Sequence, residues 1–176
     1  TIAIDAGHGG DNIGARGVRT YIQEKDYTLL IAKELEKALR LRKVKVVMTR
    51  TKDTTLSMYE EITFLNGQNS NLLIRIHLNS AGRDSFNGVG TYYCYIGFRP
   101  LSEAILKSML QTGLHEFGNV GSFNFSLSGP TDYPNCLVEV AFLSNKEDEK
   151  KILNPKFRQV VAKRIVAGIE DFLKNL

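Results

Sequence analysis

No stretch of the chain reaches the roughly eighteen consecutive apolar residues that a membrane-crossing helix requires, and no charged segment followed by a short apolar one opens it as an export leader would. The sequence therefore reads as a water-soluble domain. Its start directly on a strand suggests a domain excised or processed from a longer chain. Cysteine is scarce: Cys94 and Cys136 stand singly, without the C-x-x-C spacing of a redox motif or zinc knuckle. They read as small buried core residues, a disulfide being the alternative, and neither is a nucleophile. The net charge is +4, yet no basic run interleaved with aromatics occurs, which argues against nucleic acid as a partner. Familiar chemical signatures are missing too. Asn12 stands where a dinucleotide-binding turn needs its third glycine, and Gly9 to Gly14 is followed by Ala15-Arg16 rather than Lys-Ser/Thr, so no phosphate-cradling loop is present. Neither H-E-x-x-H nor G-x-S-x-G occurs. Repeats and low-complexity linkers are also absent.

What remains suits one compact domain over residues 1–176, with 43% hydrophobic and 24% charged residues. Ile2-Ala3-Ile4 opens a buried strand. A glycine-rich loop follows, then a helix with apolar residues at 3.6 spacing from Leu29 to Leu41, capped by Asp26 or Thr28, with Glu24 just before it or in its first turn. A strand over 44–49, a helix over 58–69 and a strand over 72–76 complete a β-α-β-α-β order, which argues for a mainly parallel sheet. Beyond it the pattern predicts a tyrosine-rich edge strand over 88–96 and a helix from Pro100 to about 116. A strand over 122–127 and a turn-rich loop over 128–134 follow. The last strand spans 136–143, and Asn145 and Pro155 punctuate two terminal helices. The expected fold is α/β, a mostly parallel mixed sheet of about six strands with helices on both faces.

Two of the three histidines, His8 and His77, stand just past β-type runs, where open α/β sheets gather their ligands. Taken singly, each could be a hydrogen-bonded core residue. Together with one acid from a following segment they would make a His₂-carboxylate set that leaves zinc an open position, and Glu24 is the best candidate for that acid. Glu139 lies inside the apolar run Leu137-Val138-Glu139-Val140-Ala141-Phe142. A carboxylate there needs a metal, a cation or a proton to compensate its burial, so it is either half of a structural ion pair or a general acid/base. His115 reads as a residue late in a helix, with no assigned role.

Ile4-Asp5-Ala6-Gly7-His8-Gly9-Gly10, Gln23-Glu24-Lys25-Asp26, Ile76-His77-Leu78-Asn79 and Val138-Glu139-Val140-Ala141-Phe142-Leu143-Ser144-Asn145 together resemble the zinc-dependent N-acetylmuramoyl-L-alanine amidases of the amidase-3 family, in order and over essentially the whole chain. The resemblance implies one zinc ion bound by His8, Glu24 and His77, with Glu139 as catalytic acid/base. The implied substrate is the amide between N-acetylmuramic acid and L-alanine of the peptidoglycan stem peptide, cleaved outside the cytoplasm, in the periplasm or cell wall. Some relatives carry a helix that plugs the zinc site. The interval from Leu78 to Val138 is already filled by expected elements, so activity without an activator protein, by a monomer, is expected. Ala6, Glu61, Arg75 and Leu78 depart from the usual pattern: Glu61 stands where an arginine is common, and Arg75 and Leu78 replace smaller residues. A catalytically silent wall-binding or activator domain and a zinc exopeptidase are the competing readings.

Overall fold

A computed structural model describes residues 1–121 and 132–176. In chain order the elements are β1 (Ile2–Ala6), α1 (Glu24–Arg40), β2 (Val46–Met48), α2 (Met58–Asn66), β3 (Leu72–Asn79), β4 (Val89–Tyr92), α3 (Arg99–Met109), β5 (Glu116–Val120), β6 (Asn135–Phe142), α4 (Lys146–Leu153) and α5 (Pro155–Lys174). The strands form one six-stranded sheet in the order β2-β1-β3-β6-β4-β5. Every neighbouring pair is parallel except β6 with β4.

The two-residue period of the strands sorts their side chains onto opposite faces. Ile2, Ile4 and Ala6 of β1, Leu72, Ile74 and Ile76 of β3, and Cys136, Val138 and Val140 of β6 pack into the main core with α1, α3 and α5. Where α5 crosses α3, a Cβ at Gly168 would lie 2.6 Å from the Ile105 Cα, so the two backbones touch and only glycine fits. The other face holds a small cluster of Ala3, Leu65 and Leu73, covered by α2. By the same alternation Asp5, Arg75, His77 and Glu139 belong to this second face. Helices therefore lie on both faces, as expected, but unequally, and the thinly covered face carries the polar residues.

Several expectations are corrected in detail. The tyrosine-rich strand is not an edge: β4 lies between β6 and β5, with Thr91 fully buried. Among the described residues the edge there is β5, whose start the expected helix to 116 overruns. Apolar spacing continues through Leu114, but α3 ends at Met109 in a 3₁₀ turn, and Gly113 at φ 80° then redirects the chain. His115 consequently sits exposed in the link before β5 rather than late in a helix. His77 lies within β3, which runs on to Asn79, and α2 stops at Asn66. A capping box between Ser57 and Glu60 starts α2. Helix α1 begins at Glu24 itself, with no side-chain cap, so Asp26 and Thr28 lie inside it. Cys94 and Cys136 are free thiols. The expected strand over 122–127 and most of the loop over 128–134 fall outside the described residues.

Candidate metal centre

Strands β1, β3 and β6 are parallel neighbours through β3, so their carboxyl ends open on one edge of the domain. His8 follows β1 at φ 65°, a left-handed conformation uncommon for a residue with a side chain. The turn that holds it is pinned from behind. Arg50 Nε donates to the Ala6 carbonyl (2.8 Å), and its Nη2 donates to the carbonyls of Gly7 (3.1 Å) and Lys25 (2.7 Å). Thr28 Oγ1 also donates to Gly7 O (2.7 Å). One buried guanidinium thus ties the His8 turn to the first turn of α1, fixing His8 relative to Glu24. Gly7 is required for a different reason: a Cβ there would collide with the His77 ring.

Glu24 is the meeting point. Its Oε2 lies 3.1 Å from His8 Nε2, and its Oε1 lies 3.2 Å from His77 Nδ1. The backbone N–H of Ala15 donates to Oε2 (2.8 Å) and that of Leu78 to Oε1 (2.9 Å), so the carboxylate is fixed by the chain on both sides. Each of the three residues offers one ligand atom, and these atoms all lie within 4.8 Å of one another. On its far side His8 Nδ1 meets Asn12 Oδ1 at 2.9 Å, the kind of outer contact that selects a ring tautomer for a metal ligand. His77 pairs in register with Glu139 across β3 and β6, which puts both side chains on the same face of the sheet. His77 Nε2 and Glu139 Oε2 are both buried and have no hydrogen-bond partner among the described residues.

The charges are strongly coupled. Burial opposes the ionised Glu24, yet hydrogen bonds from His77 and His8 hold its carboxyl well below the usual carboxylate range. Burial also opposes a charged His8 ring, but its contacts with Glu24, and then with Asn12, raise its pKa above the usual histidine value. Glu139 goes the other way: burial first, and then the charge of Glu24, push its carboxyl up to about 8. A donor set of two imidazoles and a carboxylate, with ligand atoms this close and buried polar atoms lacking partners, could hold a metal ion and leave it an open position.

The Glu139 shift has a measurable consequence. Its folded pKa lies above the unfolded value near 4.3, so the folded protein holds a proton that the unfolded chain has released between those two pH values. The contribution to stability is therefore complete below about pH 4.3 and is lost as pH rises through about 8. With a chelator present, Glu139→Gln should match the parent near pH 4 and exceed it by on the order of 5 kcal/mol near pH 9. Urea unfolding across that range measures the difference, and a pH-independent difference would show that the carboxyl is not buried at such cost.

All four residues singled out in the sequence thus converge: His8, Glu24 and His77 as a cluster, Glu139 beside it. Sequence reasoning missed Arg50 and Asn12, which position the cluster. It noted Arg75 without its partner Asp5, because their pairing depends on strand register.

The family described as N-acetylmuramoyl-L-alanine amidase matches residues 2–171. The chain is 32% identical over 173 residues to a Staphylococcus aureus protein named probable cell wall amidase LytH, covering 98% of this chain and 58% of that protein. It thus spans somewhat more than half the length of that curated relative. Among solved structures it is similar to the catalytic domain of CwlV, an N-acetylmuramoyl-L-alanine amidase from Paenibacillus polymyxa, with a TM-score of 0.92, 32% identity and coverage of 98% and 97% of the two chains. An N-acetylmuramoyl-L-alanine amidase from Clostridium difficile 630 gives a TM-score of 0.91, 31% identity and coverage of 98% and 96%.

Proposed function

The chain belongs to the N-acetylmuramoyl-L-alanine amidase family, and from that premise we propose that it is a zinc-dependent hydrolase of the amide between N-acetylmuramic acid and L-alanine of the peptidoglycan stem peptide. The observation that carries this reading is the convergence of His8, Glu24 and His77 on one point beside Glu139. In this reading the three residues hold one zinc ion, and residues 1–176 act as a single catalytic domain.

Zinc bound there supplies a Lewis acid that polarises the scissile carbonyl and lowers the pKa of a water. The protein does the rest. Glu24, clamped by two backbone N–H groups, and His8, held by Asn12, keep the donor set rigid. Glu139 takes the proton of the attacking water on its carboxylate and returns it to the amine of L-alanine as the C–N bond breaks. A carboxyl whose pKa is displaced toward neutrality by its surroundings suits both halves of that transfer. The substrate places the work outside the cytoplasmic membrane, in the periplasm or wall, in remodelling, daughter-cell separation or lysis. No helix among the described residues is long and apolar enough to cross a membrane.

The test is digestion of purified sacculi by the zinc-loaded chain with no other protein. Stem peptides with a free N-terminal alanine should be released while glycan strands stay intact, because one metal with one acid/base suits acyl transfer, and glycoside hydrolysis needs a pair of carboxylates flanking the bond. New reducing ends without free peptides would refute the amidase reading. Release only after an activator protein is added would refute autonomous activity by the monomer.

A further inference from the structure

Glu139 has a candidate metal ligand on one flank and no side chain on the other. Strand β6 lies between β3 and β4, and register pairs Glu139 with His77 on the β3 side and with Gly90 on the β4 side. Directly opposite residues of an antiparallel pair share a face, with Cβ atoms about 5 Å apart, so a side chain at position 90 would stand against that of Glu139. Gly90 leaves the space to two rings from elsewhere. A Cβ there would lie 3.1 Å from Tyr92 Cε2, 3.4 Å from Tyr92 Oη and 3.1 Å from Phe117 Cδ1. Tyr92 follows Gly90 by two residues and so shares its face, and its ring, only 7% exposed, leans back along β4 over residue 90. Its hydroxyl accepts from Asn79 Nδ2 at 3.4 Å. Asn79 lies on β3, so this contact crosses β6 on the face that carries Glu139.

What the rings do follows from the freedom Glu139 would otherwise have. A glutamate side chain turns about several bonds, and an acid/base must hold its carboxyl on the His77 side, toward the three clustered donors. An empty notch at position 90 would let the carboxyl turn toward β4 and would admit water behind it. The edges of Tyr92 and Phe117 close that notch, largely with ring carbon. Burial, and then the charge of Glu139, raise the Tyr92 pKa above the usual tyrosine value, which fits a ring placed beside this carboxyl. Such placement matters for rate, because a displacement of about 1 Å in a reacting group can cost on the order of a hundredfold.

We propose that Tyr92, together with Phe117, is a positioning residue for the acid/base: the two rings fill the place that Gly90 leaves open and confine the Glu139 carboxyl to the side of His8, Glu24 and His77. This rests on the amidase reading above. The ring of Tyr92 does the confining, and the hydroxyl, held by Asn79, fixes the ring.

The test is a mutant cycle on zinc-loaded protein cleaving a soluble N-acetylmuramoyl peptide. Tyr92→Leu stays apolar but is too short to reach over residue 90, and it should lower kcat at least about tenfold with KM within about twofold of the parent. Tyr92→Phe restores the ring and should return kcat to within about threefold. Phe117→Ala alters a side chain that is 40% exposed on an edge strand, so the fold tolerates it, and it should lower kcat about threefold or more. The decisive arm repeats these changes in Glu139→Gln protein, followed in single turnovers: a residue that acts through Glu139 has nothing left to position there, so each further loss should be under about twofold. Losses of equal size in both backgrounds, unchanged kcat in the Leu and Ala variants, or a Phe variant as slow as the Leu one would overturn the proposal. The parent separates the two readings. Release of free N-terminal alanine that Tyr92→Leu and Phe117→Ala leave undiminished sinks the positioning role alone, whereas no release by the parent sinks both.

Discussion

Glu139→Gln should lower turnover on peptidoglycan by at least about a hundredfold while leaving fold and zinc content unchanged. The expectation follows from where β6 puts this side chain. Register places Glu139 directly beside His77, on the sheet face opposite the main core, and its Oε2 is buried with no partner among the described residues. Glutamine has almost the same volume and cannot exchange a proton, so the strand keeps its packing and loses only the transfer. Because Glu139 is not one of the three clustered donors, zinc should stay. Single-turnover release of stem peptides, with elemental analysis and circular dichroism on the same sample, checks all three statements. Turnover near that of the parent in a zinc-loaded variant would dismiss the acid/base role.

The parts legible in the sequence are those whose signal is local. Strands of a parallel sheet buried on both sides read as apolar runs, so β1, β3 and β6 stand out, and the polar residues that interrupt or end them, His8, His77 and Glu139, are conspicuous for that reason. Helix α5 shows its stripe plainly. Strand β5 was not legible: Glu116 and Phe117 are exposed and the rest only half-buried, so no alternation marks it, and the preceding apolar spacing imitates more helix. The interior position of β4 was hidden because nothing in Val89–Tyr92 says which strands will flank it. The same non-locality hid the supports of the site. Arg50 is one cation just past β2, and only the folded chain shows it holding Ala6, Gly7 and Lys25 together. Arg75 looks like a defect in an apolar run until register sets it against Asp5, where breaking the buried pair would cost on the order of 3–5 kcal/mol.

Either His8→Ala or His77→Ala should empty the zinc site. Three donors within 4.8 Å form the smallest set that leaves an open position for chemistry, and two leave the ion mostly to water. The structure argues that the loss is not repaired locally. Glu24 is held by Ala15 N–H and Leu78 N–H and cannot move into the place of a missing imidazole without breaking those bonds. His115, the remaining histidine, is exposed in the link before β5. Removing a ligand should therefore cost more than the roughly 10- to 100-fold loss in affinity typical of an outer contact. Asn12→Ala, which frees His8 Nδ1 but keeps all three donors, should fall within that smaller range and provides the internal comparison. Zinc content after dialysis against a weak chelator distinguishes the two classes. If either histidine variant retains a full equivalent of zinc while still folded, the ligand set is wrong, and the buried carboxylate of Glu24 would then be serving the two imidazoles as a structural hydrogen-bond partner alone.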